Sequence, residues 1–315
     1  MTTYTIEPER ATLHGTFSRE YPPVLTIDSG DTVRFRTLDA GWHLEPFTTT
    51  EEDEACKFGP RLKERDYGHA LCGPVAIRGA QPGMTLEVQI NEVRPGTWGW
   101  TIGGCMQSEL NKRLGLSEQC EEFLWTLDAA AMTGRDQYGR TLPLRPFMGV
   151  MGMPPDEPGL LATFPPRFCG GNIDCKELVA GSTLFLPIAI PGALFSTGDG
   201  HALQGDGEVS GVAIECPMER VELTFYLRDD IQLTTPRANT PVGWITLGFH
   251  EDLYEATFIA LNAMLDLIGE QYQLSRPRAL ALASLLVDLR VTQIVNSVLG
   301  VHAVLPHGAI TQGQA

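Results

Sequence analysis

The stretch TIDSGDTVRFRT, residues 26–37, sets Ile27, Val33 and Phe35 in alternation with polar neighbours on either side of Ser29 and Gly30. A period of two marks a half-buried β-strand, and a glycine just before the second apolar run marks a turn that feeds it. The same idiom returns at Gly83-Met84-Thr85-Leu86 and at Gly181-Ser182-Thr183-Leu184. Reuse of one turn chemistry explains the three copies better than internal duplication. Between the 33 glycines and 22 prolines the remaining segments are short and rich in Val, Ile, Thr, Leu and Phe, so most of the chain is expected to be strand.

Helical periodicity comes late. From Glu251 to Gln271 the residues Leu253, Phe258, Leu261, Leu265 and Ile268 recur at three- to five-residue steps and predict a packed helix. Ser275 as cap with Pro277 in the first turn predicts a second helix through Leu280, Leu285 and Leu286 towards Asp288. Residues 109–125 read as irregular or helical, and the tail after Pro306 as frayed. Late helices after many strands give an α+β, β-rich class. The expected layout is a β-sandwich-like (jelly-roll-like) part over 1–150 and an α+β part over 151–315 whose sheet is covered by helices. The boundary falls in the proline- and glycine-dense LPLRPFMGVMGMPPDEPG, residues 142–159, with the functional site at the interface of the two parts.

The 315 residues are 43% hydrophobic, enough to bury a substantial core. Their formal charge of −16 should repel phosphate backbones and anionic lipid, so neither nucleic acid nor membrane is an expected partner. No run approaches the roughly 20 apolar residues of a spanning helix, and the start MTTYTIEPER lacks the features of a signal peptide. A cytoplasmic protein is expected. Seven cysteines without a CxxC pair point to free thiols and exclude a zinc ribbon.

Chemistry concentrates in GDGHALQGDGE, residues 198–208, where Asp199, His201, Asp206 and Glu208 stand among four glycines. Carboxylates and imidazole are the donors a divalent cation takes, and the competing role is a solvated turn. In FCGGNIDCKEL, residues 168–178, Asp174 is a further candidate ligand. Asn172 could orient it or a carbonyl, against the alternative of an Asx turn. His69 precedes a Gly-Pro turn in YGHALCGPVAIRGAQPG and would otherwise be a hydrogen-bonded structural histidine. Glu208 and Glu215 are the candidate general bases; Glu215 sits in the alternating GVAIECP, where an inward carboxylate needs a partner or a metal. Cys169 could be a thiol nucleophile or a small buried hydrophobe. Trp42, Trp98 and Trp100 are expected in the core rather than at a cavity. There is no GxSxG elbow, HExxH helix, phosphate loop or dinucleotide fingerprint.

In these residues the sequence resembles the acetamidase/formamidase family of amide hydrolases. The resemblance runs through TIDSGDTVRFRT, GHALCGPVAIRGAQPGMTLEVQI (68–90), RPFMGVMGMPP (145–155), FCGGNIDCKELVAGSTLFLPI (168–188), GALFSTGDGHALQGDGEVSGVAIE (192–215) and DLRVTQIVN (288–296). It implies hydrolysis of a small carboxamide by water to carboxylate and ammonia, a β-rich two-part fold, a divalent metal most often zinc, as one or two ions, and a homo-oligomer. The family's motif residues fall on His69, on Gly170, Gly171, Asn172 and Asp174, on Gly198, Asp199 and His201, and on Glu208 and Glu215. His69, Asp174, Asp199 and His201 are the expected metal-ligand pool, Glu208 or Glu215 the expected general base, and Asn172 with the backbone amides of Gly170 and Gly171 the expected oxyanion donors. Ala70, Cys72 and Gly200 depart from the family pattern beside the expected pocket, which bears on substrate choice. A hydrolase of cyclic amides or another C–N bond, and a non-catalytic cation-dependent ligand-binding β module, are the competing functions.

Overall fold

The computed structural model describes residues 1–46, 54–105 and 108–311. The stretch 26–37 is the corner between its two main sheets. Leu25–Ile27 pairs in parallel with Leu71–Ile77 in a six-stranded sheet, and Thr32–Thr37 enters a nine-stranded one. Gly30, Gly83 and Gly181 all adopt positive φ (+96°, +87° and +88°), and each is followed by a strand that starts on the idiom's threonine: Thr32–Thr37, Thr85–Pro95 and Thr183–Pro187. A side chain with a β-carbon is strained in that conformation, which is why the idiom needs glycine. All three strands lie in the nine-stranded sheet. Ile27, Val33 and Phe35 are at most 1% exposed, so the alternation faces one core.

In spatial order the nine-stranded sheet runs Thr3–Ile6, Thr32–Thr37, Met218–Arg228, Thr85–Pro95, Thr183–Pro187, Arg237–Thr240, Gly243–His250, Leu299–Pro306 and Asp288–Gln293. The six-stranded sheet places Phe195–His201 between Phe147–Gly152 and Leu71–Ile77, with Gly170–Asn172 beyond Phe147–Gly152. Residues of both sheets, among them Val33, Leu86, Leu184, Leu223, Cys72 and Phe195, form one apolar core. Each large aliphatic side chain buried there contributes about 1.5–3 kcal/mol. Both sheets draw strands from before and after residue 150, so the expected division does not coincide with a sheet boundary; Phe147–Gly152 crosses it.

The helices Leu253–Tyr272 and Arg276–Leu286 cover the end of the large sheet, as expected. The first is capped by Asp252, whose carboxylate accepts from the Tyr254 N–H at 2.7 Å. Ser275 caps the second, with proline in its first turn, though no hydrogen bond reaches its side chain. The apolar stripe marks the buried faces only in part: Leu265 and Ile268 are buried, and Leu253 and Leu261 pack beside them. Ala256, Ala260, Ala279 and Ala283 are buried, while Phe258, Leu280 and Leu285 are 48%, 49% and 78% exposed. At Ala256 and Ala260 the first helix comes close to the sheet, where Thr246 Oγ1 donates to the Ala260 carbonyl at 2.7 Å. Residues 109–125 resolve into a short helix, Glu109–Arg113, and the start of the strand Cys120–Asp128.

The expectation of free thiols fails at one pair. Cys105 and Cys120 form a disulfide that joins the end of Trp98–Gly104 to the start of Cys120–Asp128; their pairing as antiparallel neighbours brings the two cysteines together. Cys72, Cys169, Cys175 and Cys216 are buried thiols outside any disulfide. Burial pushes the Cys169 thiol up to about 12, which makes it a poor nucleophile. Among the described residues no helix is long and apolar enough to cross a membrane.

Candidate active site

Strand Phe195–His201 carries Asp199 and His201 through the six-stranded sheet. Its ladder with Phe147–Gly152 pairs Met148 with Gly200 and Val150 with Gly198 but skips Gly149 and Asp199. The Gly149 carbonyl instead accepts from the backbone N–H groups of Ile173 (2.9 Å) and Asp174 (3.2 Å). That brings the loop after Gly170–Asn172 against the interrupted strand pair. A β-carbon at Gly149 would lie 2.3 Å from Asp199 Oδ2, 2.8 Å from His201 Cε1 and 2.9 Å from Asp174 Oδ1. A bare backbone is therefore the floor on which three donor side chains meet.

Asp174, Asp199 and Glu208 all have positive φ, at 51°, 60° and 46°. Non-glycine residues there cost of order 1 kcal/mol each and persist where the surroundings impose them. Glu215 is fixed differently. Its backbone exchanges hydrogen bonds with Trp100 (both 2.9 Å), and its Oε1 accepts from the Ala213 N–H at 2.8 Å. His69 lies just before Leu71–Ile77, with its ring Nδ1 3.0 Å from Thr163 Oγ1 and its ring edge-on to Phe164. His69, Asn172, Asp199, His201, Glu208 and Glu215 line one cavity of about 520 Å³, whose apolar wall includes Trp100, Phe164 and Ile294.

Asp174, Asp199, Glu208 and Glu215 are all buried, and among the described residues no lysine or arginine forms a salt bridge with any of them. His201 Nε2 lies 3.2 Å from Asp199 Oδ1 and 3.4 Å from Glu215 Oε1. His201 Nδ1, Asp174 Oδ1 and Glu215 Oε2 are buried without a hydrogen-bond partner. Each such orphan costs about 1–3 kcal/mol, a cost that a bound cation removes. Two sets of donors, Asp174–His201–Glu208 and Asp199–His201–Glu215, each hold their ligand atoms within 4.8 Å of one another. Oxygen and imidazole donors fit a hard or borderline divalent ion, so the residues present suit a metal.

Burial raises the Asp174 carboxyl to about 8 and that of Glu215 to about 7, and pushes Glu208 well above the usual carboxylate range. Burial would raise Asp199 too, but the neighbouring His201 and His69 outweigh it and hold Asp199 below that range. For His201 burial opposes the charge, yet Glu215 and Asp199 carry its pKa well up. Burial lowers that of His69 and favours the neutral ring. In chelator-treated protein, Asp174, Glu208 and Glu215 thus bind protons in the folded state that the unfolded chain has released. That stability is fully present below the ordinary carboxylate pKa and is lost as pH rises through about 7 and 8. Calorimetry in chelator should show Tm falling between about pH 6.5 and pH 8.5, above the range in which the buried histidines act in the opposite sense, and zinc should flatten the slope. A Tm that rises over this range contradicts the assignment.

Five residues singled out from the sequence, Asp174, Asp199, His201, Glu208 and Glu215, are brought into one cluster. His69 and Asn172 line the cavity without joining either three-donor set. Asn172 Nδ2 donates to the Phe164 carbonyl at 3.0 Å, which leaves its Oδ1 as the unpartnered atom. The Gly170 N–H, expected to face an oxyanion, is spent on the Arg167 carbonyl at 3.0 Å. Trp42 is a core residue as expected, whereas Trp100 lines this cavity and Trp98 a different cleft. Sequence reading missed Gly149, and it missed Asn296, whose Nδ2 donates to Asp174 Oδ2 at 3.2 Å. Asn296 ends the DLRVTQIVN stretch, but nothing in its spacing marks it as a partner of Asp174.

The sequence pattern of the acetamidase/formamidase family matches residues 2–162 and 158–241. A Schizosaccharomyces pombe relative is 28% identical over 258 residues, which cover 64% of this chain and 60% of the relative; the chain thus spans about three fifths of that protein. The acetamidase of Yersinia enterocolitica superposes with a TM-score of 0.85 at 26% identity, over 98% of this chain and 93% of that one. The acetamidase of Bacillus halodurans gives a TM-score of 0.82 at 27% identity, over 96% and 97%. With the sequence pattern matched over most of its length and the fold shared from end to end, the chain belongs to the acetamidase/formamidase family.

Proposed function

We propose that this chain hydrolyses a short linear carboxamide, of the formamide or acetamide class, to carboxylate and ammonia. The observation that carries the reading is the convergence of four buried carboxyl groups on His201 beside a cavity of about 520 Å³, with donor atoms left unpartnered. Asp174, Asp199 and His201 would hold one or two divalent ions, with His69 a further donor in the same cavity. Zinc bound there would supply Lewis-acid polarisation of a carbonyl and water acidified towards a pKa of about 7.

Amide cleavage also needs a group that takes a proton from water and returns it to the leaving nitrogen. Glu208 takes this role. Its carboxyl keeps some exposure to the cavity, and burial carries its pKa above the usual carboxylate range, the direction a proton-exchanging carboxyl needs. Glu215, held by the Ala213 N–H and facing His201, orients the imidazole instead. Asn172 Oδ1 accepts from the amide N–H₂, a contact that an ester could not make. Trp100 and Phe164 supply apolar wall to the hollow. A cytoplasmic homo-oligomer completes the proposal, its size measurable by light scattering.

Ammonia release from formamide, acetamide and longer linear amides, before and after chelation, tests the function. No release from any of them by metal-loaded protein would overturn it and favour a binding module. Glu208→Gln should lower kcat by about 10² or more, because positioned acid–base groups contribute about 10²–10⁴. An unchanged kcat would transfer the proton role to Glu215.

A further inference from the structure

A second set of donors lies outside the amide site. Cys175, Glu177 and His302 bring a sulfur, an oxygen and a nitrogen within 4.8 Å of one another, and all three residues are at most 1% exposed. Asp174 serves the amide site, and the very next residue opens this cluster. Glu177 Oε1 is 3.1 Å from Arg290 Nη1, while its Oε2 lies 3.4 Å from His302 Nε2 and 3.6 Å from Cys175 Sγ. His302 sits in strand Leu299–Pro306 opposite Arg290. Its Nδ1 is 2.8 Å from Thr292 Oγ1, whereas its Nε2 is buried and makes no hydrogen bond; the Glu177 oxygen is near but out of line.

We propose that Cys175, Glu177 and His302 hold a second, structural ion of the zinc type, distinct from the ion of the amide site. With Nδ1–H donated to Thr292, the Nε2 lone pair faces the other two donors, an arrangement usual for a metal-bound histidine. A soft sulfur beside imidazole and one carboxylate oxygen selects zinc, cobalt or a similar ion over magnesium or calcium. Binding exchanges the Cys175 thiol proton for the ion, so one proton is released to solvent for each ion bound. The nearby cations are already matched: Arg290 by Glu177 and Asp288, and Lys176 by Asp206 at 2.9 Å. The ion would clamp the loop that carries Asp174 to the two C-terminal strands, which are more than a hundred residues away in the chain.

Cobalt added to chelator-treated, full-length protein tests the proposal. A thiolate ligand gives cobalt an intense near-ultraviolet charge-transfer band, and the amide site offers only carboxylates and imidazoles. The band should form in the wild type, persist in His201→Ala and vanish in Cys175→Ser, which should also bind one ion fewer per chain by elemental analysis. Absence of the band from the wild type, with or without cobalt uptake, overturns the proposal without relying on any variant. So does a band that survives Cys175→Ser. Neither result bears on amide hydrolysis, so the two readings fail separately.

Discussion

His201→Ala is expected to lose bound metal and ammonia release together while keeping its fold. His201 is the side chain common to both three-donor sets of the amide site, so its removal breaks each of them at once. Lewis-acid assistance is worth several kcal/mol, and at about 1.4 kcal/mol per decade turnover should fall by at least about 10³. The structural effect should be smaller. The variant loses an edge-on contact with Phe147 and leaves Asp199 and Glu215 without the imidazole between them, a cost of about 1–3 kcal/mol. Without His201, Asp199 also loses its strongest stabilising neighbour, so its carboxyl should move up towards those of Asp174 and Glu215. Elemental analysis, ammonia release and circular dichroism on one preparation separate the outcomes. A folded variant that is metal-free and fully active refutes the assigned role.

The sheet corner and the cluster of donors were legible from sequence for different reasons. The turn idiom at Gly30, Gly83 and Gly181 is local: a positive φ demands glycine, and the alternation after it reports burial within a few residues. The ligand candidates Asp174, Asp199 and His201 were legible because acid and imidazole among glycines are chemically conspicuous. What local pattern cannot carry is distance across the fold. Asn296 meets Asp174 across 122 positions, and no spacing rule connects them. The helix faces were legible only in part. Periodicity picks out Leu265 and Ile268, which are buried, but close packing sets Ala256 and Ala260 against the sheet, where Thr246 Oγ1 donates to the Ala260 carbonyl, and Phe258 and Leu285 stay exposed. The Cys105–Cys120 pair depends on two strands returning alongside each other, which a count of cysteines does not report.

Gly149 is the sharpest case, because its importance lies wholly in an atom it lacks. It stands in RPFMGVMGMPP, where glycine and proline read as a loop or a boundary, yet the structure makes it the middle of a buried strand. Its φ is not in the left-handed region, so Gly149→Ala meets no backbone strain, and only space opposes the new methyl group. That methyl would lie under 3.0 Å from Asp199 Oδ2, His201 Cε1 and Asp174 Oδ1, all buried and unable to swing into solvent. The donors must give way, and a misplacement near 1 Å costs about 10² in rate. Gly149→Ala should therefore fold, bind metal more weakly and lose at least about 10² in kcat/KM. Gly205→Ala is the matched control, since a β-carbon there meets nothing within 4 Å and should leave turnover unchanged. Full activity and full metal content in Gly149→Ala would show that the three donors do not need the positions described, and with them the metal site at the amide cavity would have to be redrawn.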